Sequence, residues 1–237
     1  MLAGGFGKRL GPLAKEMPKP LLPLRGKPAI DHIIAKLLEV GVEEVVISTN
    51  LKFEMQFETW LREAKLAKIR IEVEPSKTED EKFGAIGGIA RMLKQLCNDE
   101  YFVLAGDNVF TDSLDEMAAF FREIKKPVVA GYYAANLAQL KLGSSVTTNS
   151  KGRITLFEEK PMNPDLRKPV GACVYILPYN TLVRTKEYVD EGMNPDEPGR
   201  FISWLCERED VYVYVLKGRL WDIGSVAEYE RAKREFK

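Results

Sequence analysis

Hydrophobic and polar positions switch between a helical period and a strand period along the first half of the chain. Between Pro28 and Gly41 the apolar side chains recur at helical spacing, which predicts an amphipathic helix. The same analysis predicts helices at 28–40, 53–65 and 84–97, and strands at 42–49, 69–73 and 101–105. A strand, a crossover helix and a further strand, repeated, indicate a mainly parallel sheet.

The second half has a different pattern, with strands that follow one another more closely. Residues 150–153 read as a hairpin turn, which indicates antiparallel strands. The predicted strands are 127–135, 145–148, 154–158, 170–177 and 211–216, and the predicted helices are 180–191, 200–208 and 225–236. We therefore expect an α/β fold with a mixed, mainly parallel sheet, in a single domain over residues 1–237.

Composition narrows the functional classes. Lys and Arg together number 35, as do Asp and Glu, so the chain has no overall attraction to nucleic acid or to a membrane surface. A secretory signal segment has basic residues followed by an apolar run, and the first residues do not show this pattern. We therefore expect a cytoplasmic location. A single histidine and three scattered cysteines exclude two-histidine metal motifs and make a disulfide framework unlikely.

The first loop is the strongest candidate for chemistry. Gly4, Gly5 and Gly7 precede Lys8 and Arg9, and Lys19 follows in a Pro-Lys-Pro segment. Glycines allow backbone N–H groups to approach an anion, and the cations add charge at the same place. The spacing matches neither the P-loop nor the G-x-G-x-x-G fingerprint. The alternative is a mobile surface loop with incidental charge.

Two aspartates suit a magnesium ion. Asp107 follows a buried strand, where ligands of open α/β sheets bind, and Asp222 precedes the last helix. Carboxylate oxygens are good ligands for Mg²⁺, which also bridges to substrate phosphates. From the residues alone, Asp107 could equally be a turn residue after a strand, and Asp222 a turn residue near a helix start.

A third charged group ends the strand at 154–158. Glu159 and Lys160 could hold sugar hydroxyls and a phosphate. Taken alone, these residues are better explained as a solvated charged turn.

The motifs, in their order and spacing, resemble the sugar-1-phosphate nucleotidyltransferases (NDP-sugar pyrophosphorylases). The likeness runs from Leu2 to the C-terminus and is carried by Gly-Gly-Phe-Gly-Lys-Arg-Leu, Pro-Lys-Pro-Leu-Leu-Pro, Gly-Asp-Asn, Glu-Lys-Pro and Asp-Ile-Gly. The chain looks most like short archaeal-type members labelled glucose-1-phosphate thymidylyltransferase. The resemblance implies a Rossmann-like three-layer sandwich of the nucleotide-diphospho-sugar transferase type.

The resemblance also implies residue roles. Catalysis would depend on Arg9, Lys19, Asp107, Lys160 and Asp222, with Asp107 and Asp222 holding Mg²⁺. The sugar would be bound by Asn108, Glu159, Lys160 and Gly171. The nucleotide would be bound by Leu2, Ala3, Gly4, Gly5, Gly7, Lys8, Arg9, Lys19, Glu74, Gly84, Gly87 and Asp107.

The implied reaction transfers a nucleoside monophosphate from a nucleoside triphosphate to a hexose 1-phosphate and releases pyrophosphate. The whole-chain resemblance favours dTTP or UTP with glucose 1-phosphate. Glu74 stands where thymidylyltransferases carry a glutamine, and a carboxylate, which only accepts hydrogen bonds, would suit the N–H groups of guanine. Glu74 could also be an exposed residue at a strand end, so GTP remains an alternative.

Three rival readings are open to test. A catalytically inactive regulatory or assembly homologue should have lost the charged site residues, which are present. A glycosyltransferase should carry a D-x-D, which Gly106-Asp107-Asn108-Val109 lacks. A Rossmann oxidoreductase is disfavoured by the glycine spacing. The expected partners are a nucleoside triphosphate and a sugar 1-phosphate, without nucleic acid or membrane, and a homo-oligomer is compatible with the resemblance.

Overall fold

The computed structural model describes residues 1–11, 17–66 and 68–237, except for the side chain of Ala138. Its strands are β1 (Pro23–Leu24), β2 (Lys27–Pro28), β3 (Val45–Asn50), β4 (Ile69–Glu74), β5 (Glu100–Leu104), β6 (Asn108–Phe110), β7 (Val128–Tyr132), β8 (Ser144–Thr148), β9 (Ile154–Glu159), β10 (Val170–Pro178), β11 (Tyr212–Val215) and β12 (Leu220–Asp222).

The described residues also form α-helices. They are α1 (Ala29–Glu39), α2 (Glu54–Ala64), α3 (Ala85–Met92), α4 (Asp115–Ile124), α5 (Leu137–Leu142), α6 (Tyr179–Asp190), α7 (Pro198–Cys206) and α8 (Val226–Glu235). The expected α/β fold with a mixed sheet is therefore confirmed, and most element ends agree with the sequence to within three residues.

The chain divides into two compact units. Unit 1 comprises Met1–Phe83, Leu104–Leu114 and Gly218–Lys237, and unit 2 comprises Gly84–Val103 and Asp115–Lys217. The single-domain organisation over residues 1–237 stays a prediction.

In unit 1, β3 and β4 pair in parallel from Val45 opposite Ile69 to Asn50 opposite Glu74. Leu2 bridges in parallel to Ser48 and to Ala105, so the first residues lie between β3 and the end of β5. The apolar stripe of α1, which includes Ile30 and Ile33, is buried in the core of this unit. Edges of parallel strands that meet in this way place the loops after Leu2 and Ala105 side by side.

The antiparallel pair β6 and β12 completes the functional edge of unit 1. Its register sets Asn108 opposite Asp222, Val109 opposite Trp221 and Phe110 opposite Leu220. The strands are three residues long, too short to show an alternating pattern, which is why the sequence did not predict them.

Unit 2 is built on the strand order β11-β7-β10-β5, in which β7 is parallel to β11 and antiparallel to β10. A hairpin of β8 and β9 turns at residues 149–153, as predicted. Helix α7 is fixed to β9, because Ser203 Oγ donates to the carbonyl oxygen of Phe157 at 2.8 Å. An aromatic cluster of Tyr188, Phe201 and Trp204 fills the space below α7, with ring centroids 5.4 to 5.9 Å apart.

No helix among the described residues combines the length and apolar character that a membrane span needs.

Candidate active site

The first loop, residues 4–10, is called the glycine loop here. It is anchored at two apolar residues and open between them. Phe6 packs on Phe53 with ring centroids 6.2 Å apart, and Leu10 is fully buried. Gly7 has a left-handed backbone (φ 68°) that starts the 3₁₀ turn Lys8–Leu10. The fold thus fixes the ends of the loop while Lys8 and Arg9 remain exposed.

The fold does not explain why residue 5 is a glycine. A side chain at Gly5 would meet no atom within 4 Å, and its φ lies outside the left-handed region. Neighbouring Gly4 is fixed through its carbonyl oxygen, which accepts from Asn50 Nδ2 at 2.9 Å. An exposed glycine that the fold does not require is what the close approach of a ligand to the backbone would require.

Lys19 and Asp107 form an ion pair in unit 1. Lys19 Nζ donates to Asp107 Oδ2 at 2.9 Å, and the two side chains are only 15% and 19% exposed. The charge of Asp107 raises the pKa of Lys19. Burial pushes the pKa of Asp107 upward, but the charge and hydrogen bond of Lys19 outweigh it and hold that pKa below its usual value. Both groups are therefore charged at neutral pH.

Gly106 allows Lys19 to reach Asp107. A side chain at Gly106 would come within 2.9 Å of the Pro20 ring and 3.3 Å of the carbonyl oxygen of Leu2. The absent side chain lets the Lys19–Leu21 turn lie directly on the end of β5.

Asp222 joins this pair through the β6–β12 register. Ile223 N donates to the carbonyl oxygen of Asp107 at 2.9 Å, and Asp222 Oδ1 accepts from Gly224 N at 2.8 Å. Burial and the negative charge of Asp107 together raise the pKa of Asp222. Two buried carboxylates that repel each other are an arrangement that a bound cation would relieve.

The residues present fit a magnesium ion on this chemistry. Asp107 and Asp222 offer carboxylate oxygens, and Mg²⁺ is commonly held by one or two carboxylates with water and substrate phosphates filling the other positions. Among the described residues no three His, Cys, Asp or Glu side chains converge on a metal site, so at most two side chains of these types would ligate one ion here.

Two further residues of unit 1 orient these carboxylates. Asn108 was expected to face the sugar, but its buried amide donates to Asp107 Oδ1 at 3.3 Å, so its contact with a sugar stays a prediction. Gly224, which belongs to the Asp-Ile-Gly motif but was given no role of its own from the sequence, lies against both Asp222 and Arg9. A Cβ there would be 2.6 Å from Asp222 Oδ1 and 2.9 Å from an Arg9 guanidinium nitrogen.

Glu74 ends β4 in unit 1 and is half-buried. Its Oε1 accepts a short hydrogen bond from the hydroxyl of Ser76, which is itself buried. Within the described part of the chain, Oε2 has no hydrogen-bond partner. The carboxylate is thus held in place and still able to accept further hydrogen bonds.

The second group of charged residues lies in unit 2. Glu159 ends β9, and Lys160 follows in a left-handed conformation (φ 51°) with its N–H bonded to the carbonyl oxygen of Gly143. Lys160 pairs with Glu197, and Glu197 also pairs with Arg200 at the start of α7. The sequence did not predict a role for Glu197 or Arg200, and the only local signal is Pro198, which favours a helix start there.

Glu159 is packed against Gly199. A Cβ at Gly199 would lie 1.9 Å from Glu159 Oε2, so glycine is required for this approach. Burial, and then the charge of Glu197, raise the pKa of Glu159 to about 7. At neutral pH this side chain can therefore either donate or accept a hydrogen bond.

Gly84 and Gly171 have packing roles that the sequence did not indicate. Gly84 (φ 77°) touches the backbone of Pro195, which a Cβ would approach to 2.6 Å. Gly87 is buried in α3. A Cβ at Gly171 would lie 2.6 Å from the Phe157 ring. Their predicted contacts with base and sugar stay predictions, since the fold itself already requires glycine at Gly84 and Gly171.

Comparison with known protein families agrees with this geometry. A family model described as nucleotidyl transferase matches residues 1–237. The chain belongs to the nucleotidyl transferase family.

The names of relatives within the nucleotidyl transferase family specify different substrates. A mannose-1-phosphate guanylyltransferase of Mycobacterium tuberculosis is 26% identical over 236 residues, which cover 99% of this chain and 63% of that protein. A D-glycero-alpha-D-manno-heptose 1-phosphate guanylyltransferase of Aneurinibacillus thermoaerophilus is 26% identical, covering 99% and 96%. The chain spans only 61% to 63% of the first three curated relatives it matches.

Solved structures of this family share the fold. A crystal structure described as a glucose-1-phosphate thymidylyltransferase from Bacillus anthracis superposes with a TM-score of 0.83 at 22% identity, covering 98% of this chain and 92% of that one. A UDP-glucose pyrophosphorylase in complex with UDP-glucose superposes with a TM-score of 0.76 at 21% identity, covering 99% and 96%.

Replacing Gly224 by alanine should disturb the unit 1 site without unfolding the protein. The added methyl would displace the Asp222 carboxylate and the Arg9 guanidinium, whereas the backbone of Gly224 is not left-handed. We expect the affinity for a nucleoside triphosphate with Mg²⁺ to fall about tenfold, measured by calorimetry, and the urea midpoint to change little. Gly224→Ala with unchanged affinity would contradict the placement of Asp222 and Arg9.

Replacing Glu159 by glutamine should change how stability depends on pH. Because burial raises the folded-state pKa of Glu159 from its ordinary value of 4.5 to about 7, the native state binds the proton more tightly, and wild type loses stability as pH rises between those values. Glu159→Gln should match wild type below that window and be more stable above it, by about 1 to 2 kcal/mol. Urea unfolding across this pH range measures the difference, and parallel curves would contradict the shift.

Proposed function

We propose that this protein is a sugar-1-phosphate nucleotidyltransferase that joins a nucleoside monophosphate to a hexose 1-phosphate. The observation that carries the proposal is the cluster in unit 1, where Lys19, Asp107 and Asp222 adjoin one another and Arg9 lies against Gly224, in the chain segment of the glycine loop. Cations and backbone N–H groups would hold the triphosphate, and the paired carboxylates would hold Mg²⁺.

The reaction is a single displacement at phosphorus. An oxygen of the hexose 1-phosphate attacks the α-phosphorus of the nucleoside triphosphate, the bond from that phosphorus to the bridging oxygen breaks, and pyrophosphate leaves. No covalent enzyme intermediate is required. Arg9 and Lys19 would neutralise negative charge on the triphosphate, and Lys160 would neutralise negative charge on the acceptor phosphate. Mg²⁺, when bound, supplies further charge neutralisation at the phosphates.

For the base we propose guanine over thymine or uracil. Glu74 is fixed by Ser76 and presents an acceptor-only carboxylate, which complements the N1–H and N2–H₂ donors of guanine. The guanylyltransferases among the relatives support the same choice and point to a manno-configured acceptor. A pyrimidine nucleotide and glucose 1-phosphate, which the sequence favoured, are the rival pair.

The test is pyrophosphate release with Mg²⁺, measured for GTP, dTTP, UTP, CTP and ATP against mannose, glucose and N-acetylglucosamine 1-phosphates. We expect the highest kcat/KM with GTP and mannose 1-phosphate, and loss of the signal in Asp107→Asn. Glu74→Gln should move the GTP-to-UTP preference toward UTP by about tenfold, because an amide presents one donor and one acceptor.

Two outcomes would count against this proposal. Folded protein that releases no pyrophosphate with any pair would favour the inactive regulatory homologue. A clear preference for UTP or dTTP that Glu74→Gln leaves unchanged would remove Glu74 from base selection.

A further inference from the structure

A carboxylate in unit 2 is clamped by two cations. Glu197 Oε1 accepts from Lys160 Nζ and Oε2 accepts from Arg200 Nε, both through short contacts. These two hydrogen bonds, Lys160 first, lower the pKa of Glu197, so it is a carboxylate at neutral pH. One oxygen of the Glu197 carboxylate therefore faces the ammonium group of Lys160, and the other faces the planar guanidinium group of Arg200.

The clamp is easily opened. The side chains of Lys160 and Arg200 are 51% and 54% exposed, and ion pairs with this much water around them contribute little to stability. The backbone of Glu197 is held in place, since Arg200 N donates to its carbonyl oxygen at 3.0 Å and Pro198 begins the helix next to it. An anion of higher charge could thus replace the Glu197 carboxylate without disturbing the fold.

The cations border a cleft of about 610 Å³ that lies wholly within unit 2. One side is formed by Glu159, Lys160 and Arg200, and apolar side chains that include Met162 and Met193 form another part of the wall. Clefts of this size hold small organic ligands, and a polar edge with an apolar wall suits a sugar ring that carries a phosphate.

We propose that Lys160 and Arg200 together form the seat for the phosphate monoester of the acceptor, and that Glu197 occupies this seat until the acceptor binds. Two oxygens of a phosphate are spaced nearly as the two oxygens of a carboxylate, so they can replace the Glu197 oxygens on the same donors. Arginine binds phosphate with a planar fork and lysine binds it as a point charge, which makes the pair suited to a dianion. The identity of the ligand as a hexose 1-phosphate rests on the proposed function.

The inference adds Arg200 as a second phosphate-binding residue and makes Glu197 a competitor of the substrate. Removing the negative charge of Glu197 should therefore strengthen acceptor binding, whereas removing the positive charge of Arg200 should weaken it. If Glu197 only organised the site, both changes would weaken binding. The two variants thus distinguish competition from a structural role.

The experiment is an equilibrium titration of mannose 1-phosphate, and separately of inorganic phosphate, into the full chain by calorimetry. We expect Glu197→Gln to bind mannose 1-phosphate about three- to fivefold more tightly than wild type. Arg200→Gln should bind it about tenfold more weakly, and in Arg200→Gln the added Glu197→Gln change should improve binding less than it does in wild type, because Glu197 then competes for Lys160 alone. Asp165→Asn is the matched control, because Asp165 is another carboxylate of unit 2 that is hydrogen-bonded to an exposed arginine, Arg167.

Three results would overturn the inference. Glu197→Gln could bind with unchanged or lower affinity, Asp165→Asn could improve binding as much as Glu197→Gln, or neither probe could bind wild type and Glu197→Gln. Urea midpoints of all variants check that each is folded. Kinetics provide a second readout, since Glu197→Gln should lower KM for the acceptor and leave KM for the nucleoside triphosphate unchanged.

Failure of this inference and failure of the proposed function are distinguishable. The titration needs no turnover, so a phosphate seat with the expected ranking of variants could exist in a protein that releases no pyrophosphate. Conversely, active enzyme whose acceptor affinity does not respond to Glu197 and Arg200 would keep the reaction and remove the seat.

Discussion

Two carboxylates, Asp107 and Asp222, are largely buried beside each other, and the rest of unit 1 compensates for this. Negative charge in a site with little water is costly unless cations and hydrogen-bond donors face it. The compensation comes from Lys19 at 2.9 Å and from the N–H of Gly224 at 2.8 Å. The β6–β12 register sets Asp222 opposite Asn108, next to Asp107. Gly106 and Gly224 lack the side chains that would block these contacts. A site arranged in this way is prepared for a metal ion and a polyanion.

The same principle operates separately in unit 2. Lys160 is paired with Glu197, as Lys19 is paired with Asp107 in unit 1. Each lysine assigned to a phosphate is thus already held by a carboxylate of the protein. This pairing is consistent with equal numbers of acidic and basic residues in a chain whose proposed ligands are strongly anionic. The two pairs differ in the burial of the lysine, whose side chain is 51% exposed at Lys160 and 15% exposed at Lys19, so the Lys160–Glu197 pair is the easier of the two to open.

The sequence predicted well what regular spacing encodes. The helix at 28–40 and the hairpin at 150–153 follow from periodicity and turn chemistry, and the glycine loop and its cations follow from motif spacing. It could not predict β6 and β12, because three-residue strands have no period. Nor could it predict why Gly106, Gly199 and Gly224 are glycines. Each lies against a residue that is distant in the sequence, namely Pro20, Glu159 and Arg9 respectively. Glu197 was missed for the same reason, because its partner Lys160 is 37 residues away.

We propose that the backbone of the glycine loop binds the phosphates of a nucleoside triphosphate. Gly5 tests it most directly, because the fold gives no reason for glycine there. The measurement is a calorimetric titration of GTP with Mg²⁺ into wild type and Gly5→Ala, with urea midpoints alongside. We expect equal stability and an affinity lowered about tenfold or more in Gly5→Ala. Equal affinity in the two proteins would contradict it and would move the triphosphate away from this loop.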